Sequence, residues 1–349
     1  MIRVAVRADG SPRLGSGHLV RCLALAQALR RDGAEVVFVC RGDPGSLAGM
    51  VAEAGFAVHP LPPQEPFDEQ ADATATAAVL VATGCDWLVV DHYRLGASWQ
   101  RAMRRHAGRI LVIDDLADRD FDCDLLLNPN LPDDPSRYAG RLPSACRLLL
   151  GPRHALLRDE FLAARRGCRP RNGRVARLLV CFGGSDPDGA GLLALEALRR
   201  LASAGRLGGL QVEVVAGSAN PSMEQLRQAT AALPNSRFHA ASEQMAALMA
   251  AADLAIGGGG GMLWERAFLG LPALVVVLAE NQRLASEAAA GQGLVANLGP
   301  LRGLDAIAVA AALEALLQAP ERLAAMSQRG WALFDGPAFI TQPLHWMQE

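Results

Sequence analysis

The sequence predicts an α/β protein of two doubly wound, Rossmann-like domains facing a cleft. Three observations carry that expectation. The chain has 349 residues, room for two domains of ~100–200 residues each. Short β-branched apolar runs alternate with Ala/Leu-rich stretches, and each run is near-continuous, as in parallel strands buried on both faces. The alternation breaks off in a stretch rich in Arg and Gly, then restarts.

In chain order, strands are expected over 4–7, 35–40, 87–91, 110–114 and 125–128, with helices over 18–31 and 98–106. Gly33 ends the first helix, as a C-terminal Gly often does. The first domain is thus 1–162 and the linker 163–175. A second set of strands, 177–182, 211–216, 254–257 and 272–278, makes 176–349 the second domain, with the last helix free to cross back to the first. In such sheets ligands bind beyond the carboxyl ends of the strands.

Composition removes several classes. The formal net charge is −2, so no basic footprint argues for nucleic acid. All 34 Lys+Arg residues are Arg, which excludes a P-loop lysine and a Schiff-base lysine. The seven Cys are scattered, without Cys-x-x-Cys spacing, and read as reduced thiols of a cytoplasmic protein. The N-terminus lacks a secretory apolar core, and the longest apolar run, near 271–279, falls far short of the ~20 residues that span a bilayer. No membrane partner, obligate protein partner or cofactor is expected.

Three Gly-rich turns follow strands. Gly15-Ser16-Gly17-His18 opens the first helix, without dinucleotide-fingerprint spacing. His18 there can serve as base or simply as a polar helix-end group. The helix dipole is expected to lower its pKa and favour the neutral form. Gly183-Gly184-Ser185-Asp186 is an ordinary turn in which Ser185 or Asp186 caps the next helix. Gly257-Gly258-Gly259-Gly260-Gly261 is the strongest. Five consecutive Gly serve no purely structural need and present backbone N–H groups to an anion such as diphosphate. Glu265 follows on the next helix, as a ribose acceptor or as a charge complementing the dipole. Asn281 and Gln282 suit a polyhydroxylated ligand or plain turn chemistry. Asp122-Cys123-Asp124 has Asp-x-Asp spacing but runs into a strand of the other domain, so no metal is assigned.

The ordered set of Gly-x-Gly-His-x-x-Arg-Cys, Gly-Gly-Ser-Asp-Pro, a Gly-rich loop before Trp264-Glu265, Leu-Gly-Leu-Pro and Glu-Asn-Gln resembles the UDP-2,4-diacetamido-2,4,6-trideoxy-β-L-altropyranose hydrolases of pseudaminic acid biosynthesis. Val90-Asp91-His92-Tyr93, Ile113-Asp114-Asp115-Leu116 and Gly151-Pro152-Arg153-His154 fit as well. That family is similar in fold to the GT-B glycosyltransferases, including the one that adds GlcNAc to lipid-linked muramyl peptides. The resemblance implies that His18 is the base activating water, that Gly258, Gly259, Gly260 and Gly261 cradle the diphosphate, and that Glu265 binds ribose. It also implies that Asn281 and Gln282 face the sugar or its phosphate, that Asp91 and Tyr93 lie near the sugar pocket, and that Gly17 and Arg21 belong to the substrate site. His154, Phe121, Asn128-Pro129-Asn130 and Met262 depart from the family pattern; Met262 replaces a Ser or Thr hydroxyl.

The implied reaction is metal-independent, inverting attack of water at C1, releasing UDP. Two other readings use the same residues: a GT-B glycosyltransferase with a UDP-sugar donor, and a non-catalytic nucleotide-sugar-binding protein. No basic, apolar patch for docking a lipid acceptor is evident.

Overall fold

A computed structural model describes residues 1–11, 14–240, 244–335 and 343–348. The chain divides into two compact units, Met1–Arg158 with Phe339–Glu349, and Asp159–Ala338.

The first unit holds a seven-stranded sheet of β1 (Arg3–Ala8), β2 (Glu35–Arg41), β3 (Ala57–Leu61), β4 (Trp87–Asp91), β5 (Arg109–Ile113), β6 (Leu125–Asn128) and β7 (Arg147–Leu150). The strand order is β3-β2-β1-β4-β5-β6-β7, and every pairing is parallel. One face packs Val4, Val6 and Phe38 against Leu19, Leu25 and Leu29 of helix Gly17–Arg31. The other packs Ala5, Leu88 and Val90 against Trp99 and Met103. That two-sided burial is why the strands read as unbroken apolar runs. Helix Pro343–Gln348 belongs to this unit, with Trp346 and Met347 in its core.

The second unit has six strands, β8 (Arg177–Cys181), β9 (Gln211–Ala216), β10 (Ser236–Ala240), β11 (Leu254–Gly258), β12 (Ala273–Val277) and β13 (Ala296–Pro300). Their order is β10-β9-β8-β11-β12-β13, again all parallel. The unit starts at Asp159, inside the segment expected to close the first domain. Residues 163–175, expected as a linker, are fastened to the second unit instead. Arg171 donates to the carbonyls of Met249 and Ala250 at 2.9 and 3.0 Å, and Arg165 bonds Trp331 O and Asp335. An Arg-rich stretch reads as solvated, but these guanidiniums reach the carbonyls at helix ends that need donors.

In each sheet the order reverses beside its first strand, between β1 and β4 and between β8 and β11. These are the switch points at which open α/β sheets bind ligands.

Candidate functional site

The switch point of the first unit brings together two segments 73 residues apart. His18 opens the helix that follows β1, and Asp91 is the last residue of β4. His18 Nδ1 lies 2.6 Å from Asp91 Oδ1. The Asp91 carboxylate is fully buried and held well below the usual carboxylate range: burial opposes its charge, but the Arg21 guanidinium and His18 outweigh it. An ionised carboxylate only accepts, so Nδ1 carries the proton and Nε2 is left with the lone pair of a base.

Arg21 lies one turn beyond His18 and clamps the pair. Its Nε and Nη2 donate to the two Asp91 oxygens at 2.6 and 2.7 Å, and its Nη1 donates to Asp115 at 2.8 and 3.0 Å. Asp115 also accepts from Tyr93 Oη and Asn130 Nδ2, both at 2.8 Å. The Tyr93 ring stands edge-on to His18, centroids 4.6 Å apart. Fully buried Asp114 secures the loop carrying Asp115 by accepting from Ala117 N at 2.6 Å and Tyr138 Oη at 3.0 Å.

The Asp91 carboxylate oxygens are taken up by His18, Arg21 and Cys22. One expectation changes here. The His18 pKa is raised, not lowered: burial pushes it down, but the adjacent Asp91 carboxylate outweighs burial. Arg21 likewise braces carboxylates. Gly17 is exposed, and a side chain there would meet open space. Asp115 and Asn130 were not singled out as site residues; the Asp-Asp-Leu-Ala-Asp-Arg and Asn-Pro-Asn runs beyond β5 and β6 are the signals that could have found them.

The raised His18 pKa fixes a pH dependence. A group whose folded pKa lies above its unfolded value stabilises the fold below the unfolded pKa and loses that contribution as pH rises through the folded pKa. A catalytic base at this position would run the other way, since only a neutral imidazole accepts a proton. The acid limb of kcat/KM is therefore expected above the ordinary 6.5, and Asp91→Asn is expected to move it to lower pH. An acid limb unmoved in that variant would dissociate it from the pair.

The switch point of the second unit holds the glycine run. Gly257 and Gly258 end β11, and helix Met262–Phe268 starts directly after the loop. The run has a packing role that the sequence reading denied. A Cβ on Gly257 would sit 2.3 Å from Cys181 O, and one on Gly259 would sit 2.1 Å from Ser286 Oγ. Gly260 and Gly261 have more space. Gln282, expected to face the sugar or its phosphate, braces the loop: its Oε1 accepts from Gly259 N at 3.2 Å and Leu278 N at 3.1 Å. Arg266, buried on the first helical turns, donates to Gly258 O at 2.6 Å, and burial pushes its pKa down to about 10. Glu265 is also buried. Asn281 lies half-buried in the 3₁₀ turn Glu280–Gln282.

Met262 packs its sulfur 3.9 Å from Cys181 Sγ. Asp186, rather than Ser185, caps helix Ala190–Ser203 by accepting from Ala190 N and Gly191 N at 2.9 and 2.8 Å. Asp122 and Asp124 share the guanidinium of Arg104. Among the described residues no group of three or more His, Cys, Asp or Glu is placed to hold a metal ion, and no helix is long and apolar enough to cross a membrane.

Comparison with solved structures places this architecture. MurG of Acinetobacter baumannii superposes with a TM-score of 0.68 over 99% of each chain, at 15% identity. The fold is GT-B. UGT89C1 of Arabidopsis thaliana, solved in complex with UDP, gives 0.64 over 100% of this chain and 99% of its own, at 14% identity. Within the GT-B chain, residues 179–332 match the glycosyltransferase family 28 C-terminal domain. The UDP-2,4-diacetamido-2,4,6-trideoxy-β-L-altropyranose hydrolase of Campylobacter jejuni is 25% identical over 71% of this chain and 81% of its own. The spore coat polysaccharide biosynthesis protein SpsG of Bacillus subtilis is 31% identical over 44% of each chain. The resemblance read from the motifs is thus found again along most of the chain, on a nucleotide-sugar-related GT-B fold.

Proposed function

We propose that this chain is a cytoplasmic UDP-sugar hydrolase that cleaves UDP-2,4-diacetamido-2,4,6-trideoxy-β-L-altropyranose at C1, releasing UDP and the free sugar for pseudaminic acid biosynthesis. The observation that carries the reading is the His18–Asp91 pair at 2.6 Å, an oriented base with Nε2 available. Support for the substrate comes from the Campylobacter jejuni relative and the ordered motifs.

In this mechanism His18 Nε2 takes a proton from water as the oxygen attacks C1, while Asp91 stabilises the imidazolium that forms. The C1–O bond breaks on the opposite face, so the anomeric configuration inverts. UDP leaves with its charge stabilised by N–H groups of the Gly258–Gly261 loop and the first turn of the following helix. Glu265 accepts from ribose hydroxyls, and Asn281 contacts the sugar or its phosphate. Gln282 holds the loop in shape. Tyr93 and Asn130 border the sugar end, fixed by Asp115.

A second reading, a glycosyltransferase, is favoured by the family 28 match, which covers the glycine loop. Both readings share donor binding and differ in what attacks C1. Incubating protein with the UDP-sugar and no acceptor separates them: turnover to UDP and free sugar is the hydrolase outcome, whereas turnover only on adding an acceptor identifies a transferase. Absence of turnover under both conditions indicates a binding protein.

Two further outcomes are expected. Glu265→Ala weakens UDP binding by about 1.5–3 kcal/mol, as for loss of a charged hydrogen bond; an unchanged dissociation constant in calorimetry removes the ribose role. Activity survives exhaustive EDTA treatment and gel filtration, because backbone N–H groups take the place of a metal. Loss of activity that Mg²⁺ or Mn²⁺ restores would contradict this.

A further inference from the structure

Cys123 and Cys146 precede the neighbouring parallel strands β6 and β7. Their sulfurs lie 3.6 Å apart, about 1.5 Å more than a disulfide bond. Cys123 is buried, whereas Cys146 is half-buried beside exposed Pro143, Ser144 and Ala145. The pair is therefore an adjacent couple with one accessible member. The surroundings divide the roles: the hydrogen bond with Cys123, helped by Arg104, lowers the Cys146 pKa against its burial, and the same hydrogen bond with burial raises that of Cys123. Reactivity follows the thiolate. The other half-buried thiol, Cys85, donates to Trp87 O, and burial pushes it up to about 11.

We propose that Cys123 and Cys146 form a hydroperoxide-reactive dithiol that closes to an intrachain disulfide. The Cys146 thiolate attacks one peroxide oxygen, breaking the O–O bond; the sulfur becomes a sulfenic acid and the other oxygen leaves as hydroxide, protonated to water. Cys123 sulfur then attacks the sulfenic sulfur, and the departing hydroxide takes the Cys123 proton as a second water. Two thiols are oxidised and one hydrogen peroxide is reduced to two waters. The bridge lies at the amino ends of β6 and β7, whereas Asn128 and His18 lie at the carboxyl ends of β6 and β1, so it ties strands together away from His18.

The test is to treat the folded full chain with stoichiometric hydrogen peroxide, alkylate it under denaturing conditions and map the peptides. The expected result is a disulfide-linked Cys123–Cys146 peptide pair, an intact mass about 2 Da lower, and reversal by dithiothreitol, with Cys85 still alkylated. Cys123→Ser should instead trap Cys146 as its sulfenic or sulfinic acid. Cys146 over-oxidised in the unsubstituted chain with Cys123 still alkylated, faster oxidation of Cys85, or disulfides only between chains would each overturn the proposal.

Discussion

His18→Asn is expected to lower kcat by about 10²–10⁴, the usual worth of general-base assistance, while the affinity for UDP stays unchanged. Asn keeps a polar group at the helix start but has no lone pair basic enough to take a proton from water. If Asp91 serves catalysis through His18, Asp91→Asn should lose part of the same factor. The double variant should then be no slower than His18→Asn alone, since residues acting as a unit are strongly non-additive. Steady-state kinetics on the three variants checks this. A wild-type kcat in His18→Asn removes the base; a double variant far slower than either single one gives Asp91 a separate role.

Gly259→Ala should produce the second large effect, on the loop rather than on chemistry. Its Cβ would lie 2.1 Å from Ser286 Oγ and 3.4 Å from a Val275 methyl, so the loop or helix Arg283–Gly291 must move. Overpacking of this kind costs about 1–3 kcal/mol, and UDP affinity should fall roughly tenfold because the displaced N–H groups no longer converge. Ser286→Ala removes the nearer obstacle and should recover much of the loss, a coupling readable in a double-mutant cycle. Gly261→Ala is the control, since its Cβ meets nothing within 4 Å. Calorimetry with UDP decides: Gly259→Ala binding like wild type, or Gly261→Ala failing equally, would refute the packing account.

What the sequence showed and hid follows the burial of each element. The inner strands of both sheets, β1, β2, β4, β5 and β6, then β8, β9, β11 and β12, lie between two covered faces and read as apolar runs. The strands it missed, β3, β7, β10 and β13, are the four sheet edges. β3 and β10 are only partly buried, and their Ala-Val-His-Pro-Leu and Ser-Arg-Phe-His-Ala carry little apolar signal. The same limit applied to the site. His18 and the glycine run stood out because their local turns are unusual. The partnership of His18 with Asp91 depends on β4 lying beside β1, and that of Gly259 with Ser286 on a helix beyond the next strand. Neither adjacency is written in local spacing, so the sequence shows neither the His18–Asp91 pair nor the packing role of the glycines.

In the proposed reaction water attacks the anomeric carbon, with His18 as its base. Attack on phosphorus would need a base or metal-bound water beside the diphosphate, and the glycine loop offers N–H donors there. Turnover in ¹⁸O-labelled water measures the difference directly. Label is expected in the released sugar and none in UDP, with the inverted anomer seen by NMR before mutarotation. Label in the UDP phosphate would contradict both the bond cleaved and the role of His18.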